Sequence, residues 1–332
     1  RNEFTVDDQL LIGYGGSQSL ERPSTYSKAS RQLLKDVGID VQKFYGYFDQ
    51  DWSRKRNLGQ GIYFESETYG QDQTLDSAVW FFGRSPDYDR IDDIVAAYPL
   101  PEESRKALLS LLQSEEDLLP DLDPDAAARL MAGISYSDYL RRHAGMPEDV
   151  VLLLRDSIRT YWGVGWDALS ALEAWRLEQP GTWGLRIDPA ERGDFYASDE
   201  PYIFHFPDGN AGVARALVRA LIPAAVPGDS MEALVTARVD YEELDRPGNT
   251  SRIRLNATAV DISHTPDQSH VDVTYVRDCK PERVRGKHVV LACHNQVIPH
   301  ICAEVSEPQT EAIGYAAKTP LVYFNIAVRN WR

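Results

Sequence analysis

Apolar and polar positions alternate from Phe4 to Ile12 as they would in a pair of short strands, and Gly13-Tyr14-Gly15-Gly16 breaks the pattern. Ser27 to Val37 then carries a helical stripe that stops at Gly38, the residue type best able to adopt a left-handed C-cap. From Asp76 to Leu177 the period is helical. Ile91-Ile94-Val95, Ala107-Leu108-Leu111-Leu112, Ala127-Leu130-Met131 and Val150-Leu153-Leu154-Ile158 each set apolar side chains three or four residues apart. Beyond Pro201 the texture turns to α/β and then to β. Tyr202-Ile-Phe-His-Phe206 reads as a strand ending at Pro207, and a polar turn at Asp208-Gly209-Asn210 opens a helix whose stripe is Val213-Leu217-Val218-Leu221 and which Pro223 ends. Strands are expected at Leu234–Tyr241, Arg252–Asn256, Ala259–Ser263, Val271–Val276 and His288–Ala292, with turns at Arg246-Pro-Gly-Asn249 and Thr265-Pro-Asp-Gln268. A last strand-like run covers Leu321–Val328.

Charge narrows the partners. The chain of 332 residues has 35 Lys+Arg against 51 Asp+Glu, a net charge of −16, so nucleic acid and anionic membrane surfaces are repelled and a small cationic ligand is favoured. Between Arg84 and Asp156 there are 16 acidic and 8 basic residues, which puts half of the imbalance into the helical block. Two explanations stand side by side: a solvated outer helix face, or a negative rim that attracts a polyamine. No apolar run approaches the length of a membrane span. The three cysteines, Cys279, Cys293 and Cys302, are too few for a disulfide framework. The opening on Arg1 without a methionine and the close inside an apolar run lead us to expect the middle of a longer protein.

Four segments have the residue types for chemistry. In Gly13-Tyr-Gly-Gly-Ser-Gln18, glycines after a strand permit either a tight turn or close backbone approach to a phosphate or flat ring. Gln18 stands where a dinucleotide fingerprint needs glycine. Gly163-Val-Gly-Trp-Asp-Ala168 matches a looser nucleotide pattern but follows helix rather than strand. It reads better as a junction whose aromatics, Tyr161, Trp162, Trp166 and Trp175, line a pocket or fill a core. Phe204-His-Phe-Pro-Asp-Gly-Asn210 brings a histidine, an amide and a helix start to one point, as a cap or as a ligand site. Cys293-His294 with His300 and Cys302 invites zinc, although a buried strand running into a loop explains the segment better.

In order along the chain, Arg1-Asn-Glu-Phe4, Ile12-Gly-Tyr-Gly-Gly-Ser-Gln18, Phe204-His-Phe-Pro-Asp-Gly-Asn210, Arg252-Ile-Arg-Leu-Asn256, Val289-Val-Leu-Ala-Cys293 and Pro320-Leu-Val-Tyr323 with Arg329-Asn330-Trp331 resemble the spermidine dehydrogenase-like members of the flavin-dependent amine oxidoreductase superfamily. The resemblance implies a mixed α/β (α+β) fold in which an incomplete Rossmann-like FAD domain interleaves with a helix-rich substrate domain. The implied division is 1–75 for the FAD-domain remnant, 76–205 for the helical substrate domain, 206–298 for the FAD-domain helix and β-meander, and 299–332 for the start of a substrate-domain sheet. The pyrophosphate-binding glycine motif is then expected before Arg1 and a second FAD segment after Arg332, so that this chain alone binds FAD poorly.

By the same resemblance, Gly15, Gly16, Ser17 and Gln18 lie against the flavin, Arg1 meets the pyrophosphate, Val260 belongs to the segment facing the adenine, and Gly209 closes the turn beside the isoalloxazine. His205 and Asn210 are the candidate catalytic residues. Trp162 and Trp166, with Asp167 or Asp199, are the candidates for holding a cationic amine. The expected activity is oxidation of the C–N bond of a polyamine by hydride transfer to FAD. Haem, oxygen or a quinone is the electron acceptor, and the location is periplasmic after twin-arginine export. A lysine that many relatives carry near the flavin is missing from Leu321–Tyr323, which removes the usual signature of reaction with oxygen. Two rivals remain: a desaturase-type flavoenzyme acting on an apolar substrate, and a non-catalytic binding module.

Overall fold

The computed structural model describes residues 1–80, 83–84 and 87–329. Asn330 and Trp331, the end of the resemblance motif, lie outside the described residues. The fold mixes helix and sheet, with 39% of residues helical and 13% in strands, so helix supplies most of the regular structure. The chain divides into two compact units, one of residues 1–36, 40–210 and 321 onward, the other of 37–39 and 211–320. No helix among the described residues is long and apolar enough to cross a membrane.

In the first unit, β1 (Asn2–Val6) and β2 (Gln9–Gly13) form an antiparallel hairpin with Phe4 opposite Leu11. Its two-residue turn, Asp7-Asp8, has φ of 50° and 61°, the left-handed pair that matches the twist of the strands. A second hairpin, β3 (Gly61–Phe64) and β4 (Gln73–Asp76), sends the fully buried Phe64 into a helical core. Helices at Ile91–Ala96, Glu102–Gln113, Pro124–Gly133, Tyr136–Arg142, Glu148–Arg155 and Ala171–Arg176 surround that core. Asp123, Ser135 and Ser170 cap three of them by accepting from backbone N–H groups; each cap contributes about 1 kcal/mol.

The apolar stripes read from the sequence are the buried faces: Leu108, Leu111, Leu112, Met131, Val150, Leu154 and Ile158 all belong to one cluster. Two buried phenols in the same core donate to backbone carbonyls, Tyr136 to Pro180 at 2.6 Å and Tyr139 to Gly181 at 2.7 Å. Glu102, Glu103, Glu115, Glu116, Asp121, Asp123 and Asp125 are all exposed, so the solvated-face explanation accounts for much of the acidic block.

The second unit holds helices at Ala211–Leu221 and Met231–Thr236 and an antiparallel meander of β5 (Thr258–His264), β6 (Val271–Arg277) and β7 (Lys280–Gly286). β5 and β6 fall where strands were expected, but β7 was not foreseen, because Lys-Pro-Glu-Arg-Val-Arg-Gly has no apolar face. Cross-strand polar pairs hold it instead: Arg285 grips Asp272 at 2.6 and 2.8 Å, and Tyr275 donates to Glu282 at 2.6 Å.

Several expected strands are not strands. Ser230 caps a helix through the Leu234 run by accepting from the Ala233 N–H. Arg252 and Arg254 reach to Asp245 at 2.7 and 3.3 Å, and Asn256, at φ 55°, turns the Arg252–Asn256 segment out of extension. Residues 288–292 and 321–328 form no ladder, and Val290 (88%) and Phe324 (76%) stay exposed. An apolar run becomes a strand only where a partner edge is within reach.

Candidate functional site

The most promising site lies within the first unit, where the loop after β2 meets the segment 201–210. That segment is not a strand: the Ile203 N–H donates to Pro201 O and the His205 N–H to Ile203 O, a zigzag of tight turns between two prolines. Burial still alternates around His205, because Phe204 and Phe206 are buried against the ring of Phe44 at 6.2 and 5.2 Å.

Backbone bonds dock the loop onto this segment, from Leu20 N to Phe204 O at 2.8 Å and from Asn210 N to Ser17 O at 3.0 Å. The Asn210 amide staples the same loop, donating to Ser17 Oγ at 2.7 Å and to the Ser19 carbonyl at 3.0 Å. Gly209 sits at φ 65°, and a Cβ there would come within 2.6 Å of Ser17 O and 2.7 Å of Tyr14 Cβ. Gly16, by contrast, has no atom within 4 Å of where a Cβ would stand, so the loop offers an open backbone face at that point.

Its place at the start of a helix makes Asp208 a candidate cap. Its carboxylate is instead fully buried and receives the Arg1 guanidinium at 3.2 Å. Arg1 also pairs with Glu3, so two carboxylates already engage the charge assigned to a pyrophosphate. Two acceptor atoms at this turn, Asp208 Oδ1 and Asn210 Oδ1, are buried without a partner among the described residues. A buried acceptor left unmatched costs about 1–3 kcal/mol, which favours a ligand edge or water that brings N–H or O–H donors.

A chain of phenols runs beside the loop. The ring of Tyr323 lies 5.4 Å from that of Tyr14, and the Asn325 amide donates to the Tyr14 carbonyl at 3.1 Å. Tyr202 donates to Gln18 Oε1 at 3.1 Å, and the Tyr161 hydroxyl is 2.9 Å from both oxygens of Glu21. Burial, the Tyr14 hydroxyl and the Tyr202 charge push the Tyr323 phenol up to about 12. Burial first, then the Glu21 carboxylate, raises Tyr161. Tyr161 and Tyr323 therefore stay protonated at neutral pH.

His205 stands 5.4 Å from the Phe48 ring and 6.1 Å from that of Tyr202. Burial pushes its imidazole below the ordinary 6.5, partly offset by a backbone hydrogen bond at Phe206. With the folded pKa depressed, the unfolded chain binds the proton more readily. This contribution to stability is therefore full above pH 6.5 and falls as pH drops through 6.5 towards the folded value. Calorimetry from pH 7.5 to 5.5 is expected to show a fall in Tm that is shallower in His205→Gln; equal slopes would assign the fall to other groups.

The remaining sequence-derived positions are dispersed. Gly15 lies beside Asn2, Ser17 and Gln18 are the docked loop, and Val260 is an exposed residue of β5 in the other unit. Trp162 is 40% exposed, with its ring edge-on to Tyr161 at 5.5 Å. Trp166 corrects the expectation of a ligand wall. It is fully buried in the helical core, T-shaped to Tyr136 at 5.1 Å, with its indole N–H on Ser157 Oγ at 3.2 Å. Asp167 and Asp199 are exposed.

Asn210, expected as a catalytic residue, acts here through its amide as a clamp; a carboxamide does not titrate near neutral pH and is no general acid or base. No group of three or more His, Cys, Asp or Glu side chains among the described residues is placed to hold a metal, so Cys293, His294, His300 and Cys302 do not assemble a zinc site. Sequence reasoning missed the Asp208–Arg1 pair and the Glu21–Tyr161 contact, which join residues 207 and 140 positions apart. Comparison of the chain with protein-family models and with curated proteins finds no match.

Proposed function

We propose that this chain is part of a flavin-dependent oxidoreductase that oxidises the C–N bond of a polyamine or related amine. One observation carries the reading: a glycine-opened loop, Gly13–Gln18, is clamped against the Phe206–Asn210 turn, with two buried acceptors left for a ligand. The residues fit a flavin's polar edge. Asp208 Oδ1 and Asn210 Oδ1 match ring N–H and hydroxyl donors, and the backbone at Gly16 leaves room for a flat ring. Bound FAD would supply a hydride acceptor.

The chain's own residues do the rest. Asn210 fixes the loop, and Arg1 holds Asp208 in place. The His205 imidazole, kept neutral by burial, can accept a hydrogen bond from an incoming ammonium, and desolvation at that nitrogen favours the free amine, the species oxidised. The aromatic surroundings lower the water content near that nitrogen. Loss of hydride from the carbon beside nitrogen would leave an iminium ion, which water cleaves to a carbonyl compound and a shortened, protonated amine. The interleaved Rossmann-like domain, the haem acceptor and the periplasmic location belong to this reading through the sequence resemblance alone.

Anaerobic mixing of the FAD-loaded protein with spermidine is expected to bleach the flavin absorbance. If no di- or polyamine bleaches it, amine oxidation is wrong. Bleaching by an apolar, nitrogen-free substrate would instead favour the desaturase.

A further inference from the structure

Glu21 is a half-buried carboxylate with no ion pair among the described residues. Its hydrogen-bond partner is Tyr161, whose hydroxyl lies 2.9 Å from both carboxylate oxygens. A carboxylate accepts up to four hydrogen bonds, and one phenol supplies one proton. Three coordination directions therefore remain for a donor. The adjacent Arg22 does not serve, since its guanidinium donates to the Phe195 carbonyl and lies 4.9 Å over the Phe195 ring.

Aromatic surface gathers at the same place. Tyr161 and Trp162 are each 40% exposed and pack edge to face, and Tyr202 is 53% exposed. The charge of Glu21 acts on both Tyr161 and Tyr202, and Tyr202 and Arg22 act on Tyr161. Tyr202 in turn donates to Gln18 of the docked loop, so this patch continues directly into the candidate site. A carboxylate without a direct ion pair among the described residues, rimmed by accessible ring faces, is the chemistry that recognises an alkylammonium. The charge is met at the oxygens, and the flanking methylenes and N–CH₂ groups lie on the rings.

We propose that Glu21, framed by Tyr161, Trp162 and Tyr202, is a specificity-determining site for a primary alkylammonium group. It would hold the unreactive end of a diamine or polyamine while the other end reaches the Gly13–Gln18 loop. The assignment rests on the amine-oxidoreductase reading for its purpose, but binding at this site does not require a flavin.

Titration calorimetry of the chain with cadaverine, against the neutral isostere 1,5-pentanediol, tests it. Cadaverine is expected to bind at least tenfold more tightly than the diol, with Glu21→Gln removing that preference and Trp162→Ala weakening cadaverine three- to tenfold. Far-UV circular dichroism of both variants establishes that they are folded, and Trp162→Ala provides a second route if Glu21→Gln is not. Equal affinity for diamine and diol, or cadaverine binding unchanged in Glu21→Gln or in a folded Trp162→Ala, overturns the assignment. Flavin bleaching by spermidine with the same KM in Glu21→Gln would also overturn it while leaving amine oxidation intact. Cadaverine binding that depends on Glu21 without bleaching would do the reverse.

Discussion

Gly209→Ala is expected to lower the stability of the first unit by about 3 kcal/mol, whereas Gly145→Ala costs about 1 kcal/mol. Both glycines have φ of 65°, so the backbone strain of an added side chain is the same in kind. They differ in surroundings. Nothing lies within 4 Å of a Cβ at Gly145, while a Cβ at Gly209 would press on Ser17 O at 2.6 Å and Tyr14 Cβ at 2.7 Å. Neither neighbour is the far end of a flexible side chain, so relief requires the loop to back away. That movement would stretch the Asn210–Ser17 bonds and uncover the turn. Urea unfolding followed by circular dichroism measures both losses. If they are equal, close approach at Gly209 is not what restricts the position. Ligand retention at the loop is expected to fall in Gly209→Ala and to be unchanged in Gly145→Ala.

Trp166→Ala is expected to cost about 3–5 kcal/mol, the range for removing a large aromatic side chain from a core. The indole is fully buried, its N–H is satisfied by Ser157, and its ring meets Tyr136. The backbone of Trp166 ties two segments, accepting from the Ser137 N–H at 3.1 Å and donating to the Arg155 carbonyl at 2.8 Å. Trp162→Ala, four residues earlier, is expected to cost under about 1 kcal/mol because its ring is partly exposed. Paired unfolding curves check this contrast. A small loss at Trp166 would mean that the core around Tyr136 closes over the gap.

Periodicity made the helical core legible. Leu108, Met131, Val150 and Leu154 repeat at helical spacing and are buried on the expected faces. The hairpin at Phe4–Ile12 and two of the meander strands were equally plain, because alternation and turn residues are local signals. What the pattern could not supply was pairing. Val290 and Phe324 stand in runs as apolar as any strand, yet whether such a run joins a sheet is decided by a neighbouring edge that its own sequence does not encode. β7 is the converse, mostly polar and held by partners on β6.

The candidate site divides along the same line. Gly209, Asn210, Ser17 and Gln18 announced themselves as turn and loop residues, and the structure brings them together. Glycine spacing and indole count made Trp162 and Trp166 look alike, although one is part of the surface and the other is core. Glu21 gave no signal and Asp208 only that of a turn or cap, since a single carboxylate acquires its partner from a distant residue that its own neighbourhood does not name.

The clamp on the Gly13–Gln18 loop also has a consequence in time. Its fasteners are Asn210 and Asn325, which leave the ribosome roughly two hundred and three hundred residues after the loop they hold. The helices between Ile91 and Arg176 bury their stripes through near neighbours and can form while the chain is still being made. The loop must wait. During synthesis its glycines and the exposed edge of the first hairpin are available to chaperones, or to the wrong strand, well after the helical core has closed.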